Sequence, residues 1–306
     1  MTARLAIIIL NWCQSKITID TVDSILKNKS SGFKYHIFII DNASTDSSVS
    51  EFKKKYLHCS EVSIHQSGRN LGYTGGNNFG IKIAIKQKYS HFIVANNDII
   101  VKPDFLQKLY LESLKYPEAI LTPKIYFAPG FEYHKDRYQK SEIGKVIWSV
   151  GGKIDWDNIY GSNLGIDEVD RGQYDHQNSD LDFISGCCLL VPKKVFKSIG
   201  YFDEKYFLYF EDADFTQKAK RAGYQLRLVP DSIIWHLNSA SSKPGSSIQD
   251  YFITRNRLLF ASRYASLRTK FALFRESIKF LLSNNVWKKY AVRDYFLHRF
   301  EKGSWK

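Results

Sequence analysis

Glu211, Asp212 and Asp214 fall within four positions at the start of a segment with helical spacing. Carboxylates this close repel one another, which raises the proton affinity of one and prepares a general base. The same residues also suit the positive end of a helix. Asn96-Asn97-Asp98 closes an apolar run. One carboxylate among amides can hold a divalent cation through oxygen, and such a cation would bridge a diphosphate. Asn and Asp are equally at home in turns. Asp41 ends a second apolar run and opens Asp-Asn-Ala-Ser-Thr-Asp. It can accept from the imide N–H of a uracil or thymine ring, or form an Asx-turn, for which Ser44, Thr45 and Asp46 are better suited. RNLGYTGGNNFG, residues 69–80, is glycine-rich and opens a helix without matching a Walker loop or GxGxxG. Its glycines let backbone approach a ligand, or simply make a tight, well-capped loop. His236 ends a short apolar run, 24 positions after Asp212, and gains chemical interest only beside a metal.

These residues need a frame. LAIIILN, 5–11, and HIFII, 36–40, are continuous apolar runs of the kind buried on both faces of a parallel sheet. Residues 61–65 and 91–95 read as further strands. Helical spacing appears over 17–27, 47–56, 77–88 and 103–116. This alternation predicts a parallel α/β sheet, whose ligands gather at the carboxyl ends of the strands. Asn11, Asp41 and Asp98 are therefore expected to converge. Residues 126–182 read as loops and short antiparallel strands. Beyond them come a strand at 183–191, a helix from Pro192 to Ile199, an aromatic loop at 201–209 and a helix from Glu211 to Gly223. Two short strands follow, at 226–229 and 233–236. SASSKPGSS, 239–247, is flexible in composition, and 248–300 is helical.

The 306 residues allow one large domain or two modest ones, and 44% hydrophobic content supplies a sizeable core. Four cysteines without a CxxC pattern give no disulfide framework or zinc site and fit a reducing cytoplasm. No apolar run reaches the ~18 residues that span a bilayer, and Leu5–Leu10 is too short for a signal peptide. The net charge of +13 is concentrated in residues 251–306, which hold 13 Lys or Arg against 3 Asp or Glu. Such a tail suits anionic lipid, a phosphorylated ligand, helical oligomer contacts or plain solvation. No helix-turn-helix, zinc-finger or RRM pattern supports nucleic acid as a partner.

In order and spacing, IIILNW, IIDNASTD, RNLGYTGGNNFGI, ANNDIIV, FISGCCLLVPKKVF, GYFDEKYFLYFEDADFTQKAKRAGY and IIWHLNSAS resemble the inverting glycosyltransferases of family 2, over about residues 4–262. The rhamnosyltransferase-like members that build O-antigens and capsules are most similar. The resemblance implies the GT-A fold, a Rossmann-like, mostly parallel α/β sheet flanked by helices. Residues 1–247 would form the glycosyltransferase domain, with a nucleotide-sugar half to residue 120 and an acceptor half to 247. Residues 248–306 would form a basic, aromatic helical extension. By the same resemblance Leu10, Asn11 and Trp12 lie where the first strand meets the base, and Asp41 binds it. Arg69 and Asn70 line the nucleotide pocket. Asn96-Asn97-Asp98 stands for the DxD motif, with Asp98 on the metal, Asn96 replacing the first Asp, and Asn97 between them. His236 completes the metal site, as in some members. Asp212 is the catalytic base, and Glu211 and Asp214 contact the acceptor or support Asp212. The implied cofactor is Mg2+ or Mn2+. The implied donor is dTDP- or UDP-linked, with dTDP-β-L-rhamnose favoured over UDP-galactofuranose and other UDP-sugars. A catalytically silent scaffold is the rival reading. The acceptor would be a saccharide, free or on a lipid diphosphate that Arg255 and Arg257 would meet. Trp287, Lys288, Lys289, Tyr290, Arg293 and Phe296 would rest on the inner face of the membrane.

Overall fold

The computed structural model describes residues 3–176, 181–238 and 245–305. Strand β1 (Ala3–Asn11) lies between β2 (Phe33–Asp41) and β4 (His91–Ala95), parallel to both, and β3 (Val62–Gln66) extends the sheet beside β2. Both faces of β1 are buried, as its unbroken apolar run requires. Leu5, Ile7 and Ile9 pack toward α1 (Ser15–Leu26) and α4 (Phe105–Lys115), while Ala6 and Ile8 pack toward α3 (Gly72–Lys86). Helix α2 (Ser48–Lys55) closes the edge near α1.

The second half of the sheet reverses direction. β10 (Cys188–Pro192) pairs antiparallel with β4 and with β6 (Ile120–Phe127). β11 (Leu226–His236) runs parallel to β6 and antiparallel to β5 (Ile99–Val101), which ends the row, and β7 (Ile147–Ser149) adds to β6. A separate hairpin joins β8 (Gly152–Asp155) to β9 (Tyr160–Asn163). Helices α5 (Lys193–Ile199) and α6 (Glu211–Arg221) follow β10.

The structure corrects several boundaries. β6 is absent from the sequence reading because Pro123 and Lys124 argue against a central strand. Pro123 sits opposite Val229 where a bulge relaxes the pairing, and Lys124 is neutralised by Asp170 and Asp175 at 2.7 and 2.6 Å. That bulge also makes 226–236 one strand instead of two. The strand expected at 183–191 begins only at Cys188. Helix α3 begins at Gly72, five residues before the expected start, so the glycine run lies inside it. A methyl group on Gly76 would meet Leu10 at 2.4 Å, and one on Gly80 would meet Ile8 and Ile40 at 2.7 and 2.8 Å. These glycines let a helix approach the sheet, and the ligand-approach reading gives way to packing at both positions.

The C-terminal segment folds as α7 (Ser247–Tyr264), α8 (Leu267–Leu282) and α9 (Val286–Phe296). Helix α7 is buried almost all round, with Tyr251, Phe252 and Phe260 inaccessible. Trp287 packs against Trp305 and Tyr251 and is partly buried. Of the stretch at 239–247 expected to be flexible, residues 239–244 lie outside the described residues, as do 177–180.

Candidate active site

Register brings the first carboxylate into place. Asn11 and Asp41 are direct partners at the ends of β1 and β2. The Asn11 amide donates to Asp41 Oδ1 at 3.1 Å and to Ser44 Oγ at 3.0 Å, and its oxygen accepts from Thr18 at 2.8 Å. Ser44 N–H donates to Asp41 Oδ2 at 3.0 Å. Asn11 is thus spent on holding Asp41. Trp12, next in the chain, is 55% exposed at the same edge. Leu10 lies against Gly76, and Arg69 and Asn70 are exposed on the loop after β3. Asn70 Oδ1 accepts from the Gly72 N–H and from Asn42, which also accepts from the Leu71 N–H. Asn42 organises this loop, a role the sequence reading did not assign.

The β4–β5 link carries the second group. Asn96 is partly exposed, and its N–H donates to the Cys187 carbonyl at 2.9 Å. Asn97 turns toward α1, donating to Gln14 and Thr18. Asp98 Oδ1 stands 3.1 Å from His236 Nε2. The two meet because Ile99 pairs with His236 across β5 and β11, and Leu237 N–H donates to the Asp98 carbonyl. The His236 ring packs edge-on against Trp148, and its Nδ1 is buried without a partner among the described residues. An adjacent carboxylate and imidazole fit a divalent cation as two of its ligands. Among the described residues no three His, Cys, Asp or Glu side chains form a metal cage.

The third group opens α6. Asp212 is partly exposed; its Oδ2 accepts from the Gly186 N–H at 2.8 Å and its Oδ1 from the Ala213 N–H at 2.7 Å. Glu211 is buried, and its Oε2 has no partner among the described residues. Burial, then the Asp212 charge, raise the Glu211 carboxyl well above the ordinary range. Burial raises Asp212 too, but the two N–H donors oppose it. Of the two, only Asp212 has N–H donors that favour its charged form. Asp214 differs from both. It is fully buried and engaged by Tyr206, Arg263, Tyr264 and Lys218. It ties α6 to α7 and reaches no acceptor, which leaves the supporting half of its expected role.

Gly186 connects the second and third groups. Its N–H serves Asp212, its carbonyl accepts from Tyr73 Oη at 2.6 Å, and Cys187 next to it serves Asn96. Burial raises the Cys187 thiol well above its usual value, and both the Asp98 and Asp212 charges add to this. Tyr73 and Gly186 escaped the sequence reading, since neither residue type signals chemistry.

The segment that delivers Glu211 and Asp212 is strained. Phe207, Tyr209 and Phe210 all have φ between 63° and 71°. Such left-handed backbone costs about 1–3 kcal/mol per non-glycine residue. Helix α7 holds it. Asn256 Nδ2 lies 2.9, 2.7 and 2.8 Å from the carbonyls of Tyr206, Leu208 and Tyr209. The Arg255 guanidinium donates to the carbonyls of Lys205, Tyr206 and Glu301. Arg255 is wholly buried, and Arg257 is paired with Glu276 at 2.8 Å. Both are internal struts, which withdraws the expectation that they meet a lipid diphosphate.

A family model described as Glycosyl transferase family 2 matches residues 6–200. The chain is 26% identical over 227 residues to the low-salt glycan biosynthesis hexosyltransferase Agl10 of Haloferax volcanii, covering 72% of this chain and 65% of that protein. It is 27% identical over 215 residues to the N-acetylglucosaminyl-diphospho-decaprenol L-rhamnosyltransferase of Mycobacterium tuberculosis, covering 67% of each. The chain thus spans just under two thirds of the haloarchaeal relative's length. Its fold is similar to that of GalNAc-T7 crystallised with UDP, GalNAc and Mn2+, with a TM-score of 0.60, 16% identity, and coverage of 96% of this chain and 58% of that one.

Proposed function

The chain belongs to glycosyl transferase family 2, and from that premise we propose that it moves a hexosyl group from a pyrimidine nucleotide sugar to a saccharide acceptor with inversion. The favoured donor is dTDP-L-rhamnose. The favoured acceptor is a saccharide on a lipid diphosphate, in surface polysaccharide synthesis at the cytoplasmic face of the membrane. The mycobacterial rhamnosyltransferase, named for a diphospho-decaprenol acceptor, supports both choices. No helix among the described residues is long and apolar enough to cross a membrane, so attachment would be peripheral.

The observation that carries this reading is the division of labour in the Glu211–Asp212 pair. Two N–H donors hold the partly exposed Asp212 carboxylate, while Glu211 is buried beside it with its carboxyl raised. Asp212 then takes the proton from an acceptor hydroxyl as that oxygen attacks the anomeric carbon opposite the leaving diphosphate. Asp41 accepts from the base, and Trp12 offers a face for it to rest on. Asp98 and His236 would hold Mn2+ or Mg2+, with the diphosphate and water completing the shell. Such a cation, when bound, offsets the charge that grows on the leaving group. An imidazole ligand favours Mn2+ over Mg2+.

Thermal unfolding with UDP, dTDP, GDP and CDP, each with and without Mn2+, tests this without knowledge of the acceptor. A ligand bound only to the native state adds RT ln(1 + [L]/Kd), about 2.7 kcal/mol at 100 times Kd. We expect a Mn2+-dependent rise with dTDP, or with UDP if the donor is a UDP-sugar. Indifference to all four nucleotides sinks the reading and leaves a silent scaffold.

A further inference from the structure

Helix α8 carries its apolar stripe on the outside. Leu267, Phe271, Phe274, Ile278, Leu281 and Leu282 are all exposed, from 44% to 83%. At about 100° per residue these six positions share an arc of about 100°. The opposite side, with Thr269, Leu273 and Ser277, is the buried one. Phe296 and Leu297, also exposed, extend the patch, since the Phe296 ring adjoins that of Phe274. An amphipathic helix of a water-bathed protein turns such a stripe inward, so this face is made for a non-aqueous neighbour.

Charge identifies the neighbour. Arg268, Lys270, Arg275 and Lys279 flank the stripe, and among the described residues none of them has an ion-pair partner. The acids of α8 and α9 are both engaged. Glu276 is paired with Arg257, and Asp294 is buried against Tyr251 and Ser304. An apolar stripe between unneutralised cations matches the acyl boundary and headgroups of an anionic bilayer. The helix has 16 residues and no span-like composition, which suits lying in the interface and not crossing it. We propose that the outer face of α8, extended by Phe296 and Leu297, docks on an anionic lipid surface. This surface shares Phe296 with the one expected from the sequence but centres on α8. Trp287 is partly buried against Trp305, Lys288 stands 3.4 Å from Asp250, and Arg293 stands beside Asp294. The proposal is independent of the donor and acceptor chemistry.

Cosedimentation with vesicles tests it, comparing phosphatidylcholine alone with phosphatidylcholine containing phosphatidylglycerol. The intact chain should bind the anionic vesicles and release in high salt. Phe271→Glu with Ile278→Glu should lower the partition coefficient at least tenfold. Replacing Arg268, Arg275 and Lys279 by Gln should lower it about a hundredfold, at about fivefold per charge. Unchanged far-UV circular dichroism and an unchanged nucleotide-induced thermal shift show that the variants fold; if the apolar pair fails this check, the charge variant decides alone. An intact chain that stays in the supernatant, or folded variants that bind as well as it does, overturns the proposal. So does sedimentation velocity showing a dimer that the apolar variant splits, which would assign the face to a second copy.

Discussion

Asp41, almost wholly buried, and Asp212, partly exposed, are both carboxylates of the candidate site, yet they are held in opposite ways. Asp41 ends a strand whose register with β1 places it beside Asn11. Its position follows from backbone pairing, which many sequences can satisfy. Asp212 stands after a strained loop whose carbonyls are gathered by two side chains of α7. Backbone pairing distributes positional control over a whole strand, whereas the α7 clamp concentrates it in Arg255 and Asn256. The donor half should therefore bend under substitution and the base-bearing half should break.

The largest effect belongs to Asp212→Asn, which removes the proposed base while keeping its shape. Turnover should fall ~10²–10⁴-fold. The nucleotide-induced thermal shift should persist, because it reads only the donor half. Next comes Asn256→Ala, which orphans buried carbonyls of the strained loop at about 1–3 kcal/mol for each group left bare. Urea unfolding should show the loss, and kcat should fall with donor KM nearly constant. The matching change in the donor half, Asn11→Ala, should do the reverse. It should raise donor KM about tenfold, the equivalent of one lost buried contact to Asp41, and spare kcat. If Asn11→Ala lowers kcat as much as Asn256→Ala does, the two regions are not held differently.

The subtlest test is Glu211→Gln. The Glu211 carboxyl is raised in the folded state, so the native protein binds its proton more tightly than the unfolded chain does. That group's contribution to stability is complete below the unfolded value of about 4.3 and is lost as pH rises through the folded value. Gln cannot ionise. The variant should match the parent in strongly acidic urea titrations and exceed it as pH rises, and a parent that gains on the variant with rising pH would contradict a raised Glu211 carboxyl.

The same contrast explains what the sequence made legible. Asn11, Asp41 and Asp98 were readable because apolar runs end at them and parallel strands align their ends. The Asp98–His236 meeting was readable only through family resemblance, since it depends on an antiparallel pairing between β5 and β11 that no local pattern announces. β6 was hidden by Pro123 and Lys124, whose partners lie on β11 and in the 170–175 loop. Arg255 and Arg257 looked like ligand contacts because a basic tail does not say which cations face inward. Their carbonyl and carboxylate partners come from distant segments. A residue's type shows what it can bind; its partner is decided by topology.

The clamp also sets an order in time. A nascent chain that has emerged as far as residue 240 already contains Asp41, Asp98, Asp212 and His236. It lacks the Asn256 amide and the Arg255 guanidinium. Arg255 in turn is closed in by the Glu301 carbonyl, and its neighbour Tyr251 by Trp305 and the Ser304 N–H. At about 5–20 residues per second, the interval from residue 212 to residue 305 occupies several seconds of synthesis. Through that interval the strained loop that carries Glu211 and Asp212 lacks the α7 side chains that hold its carbonyls.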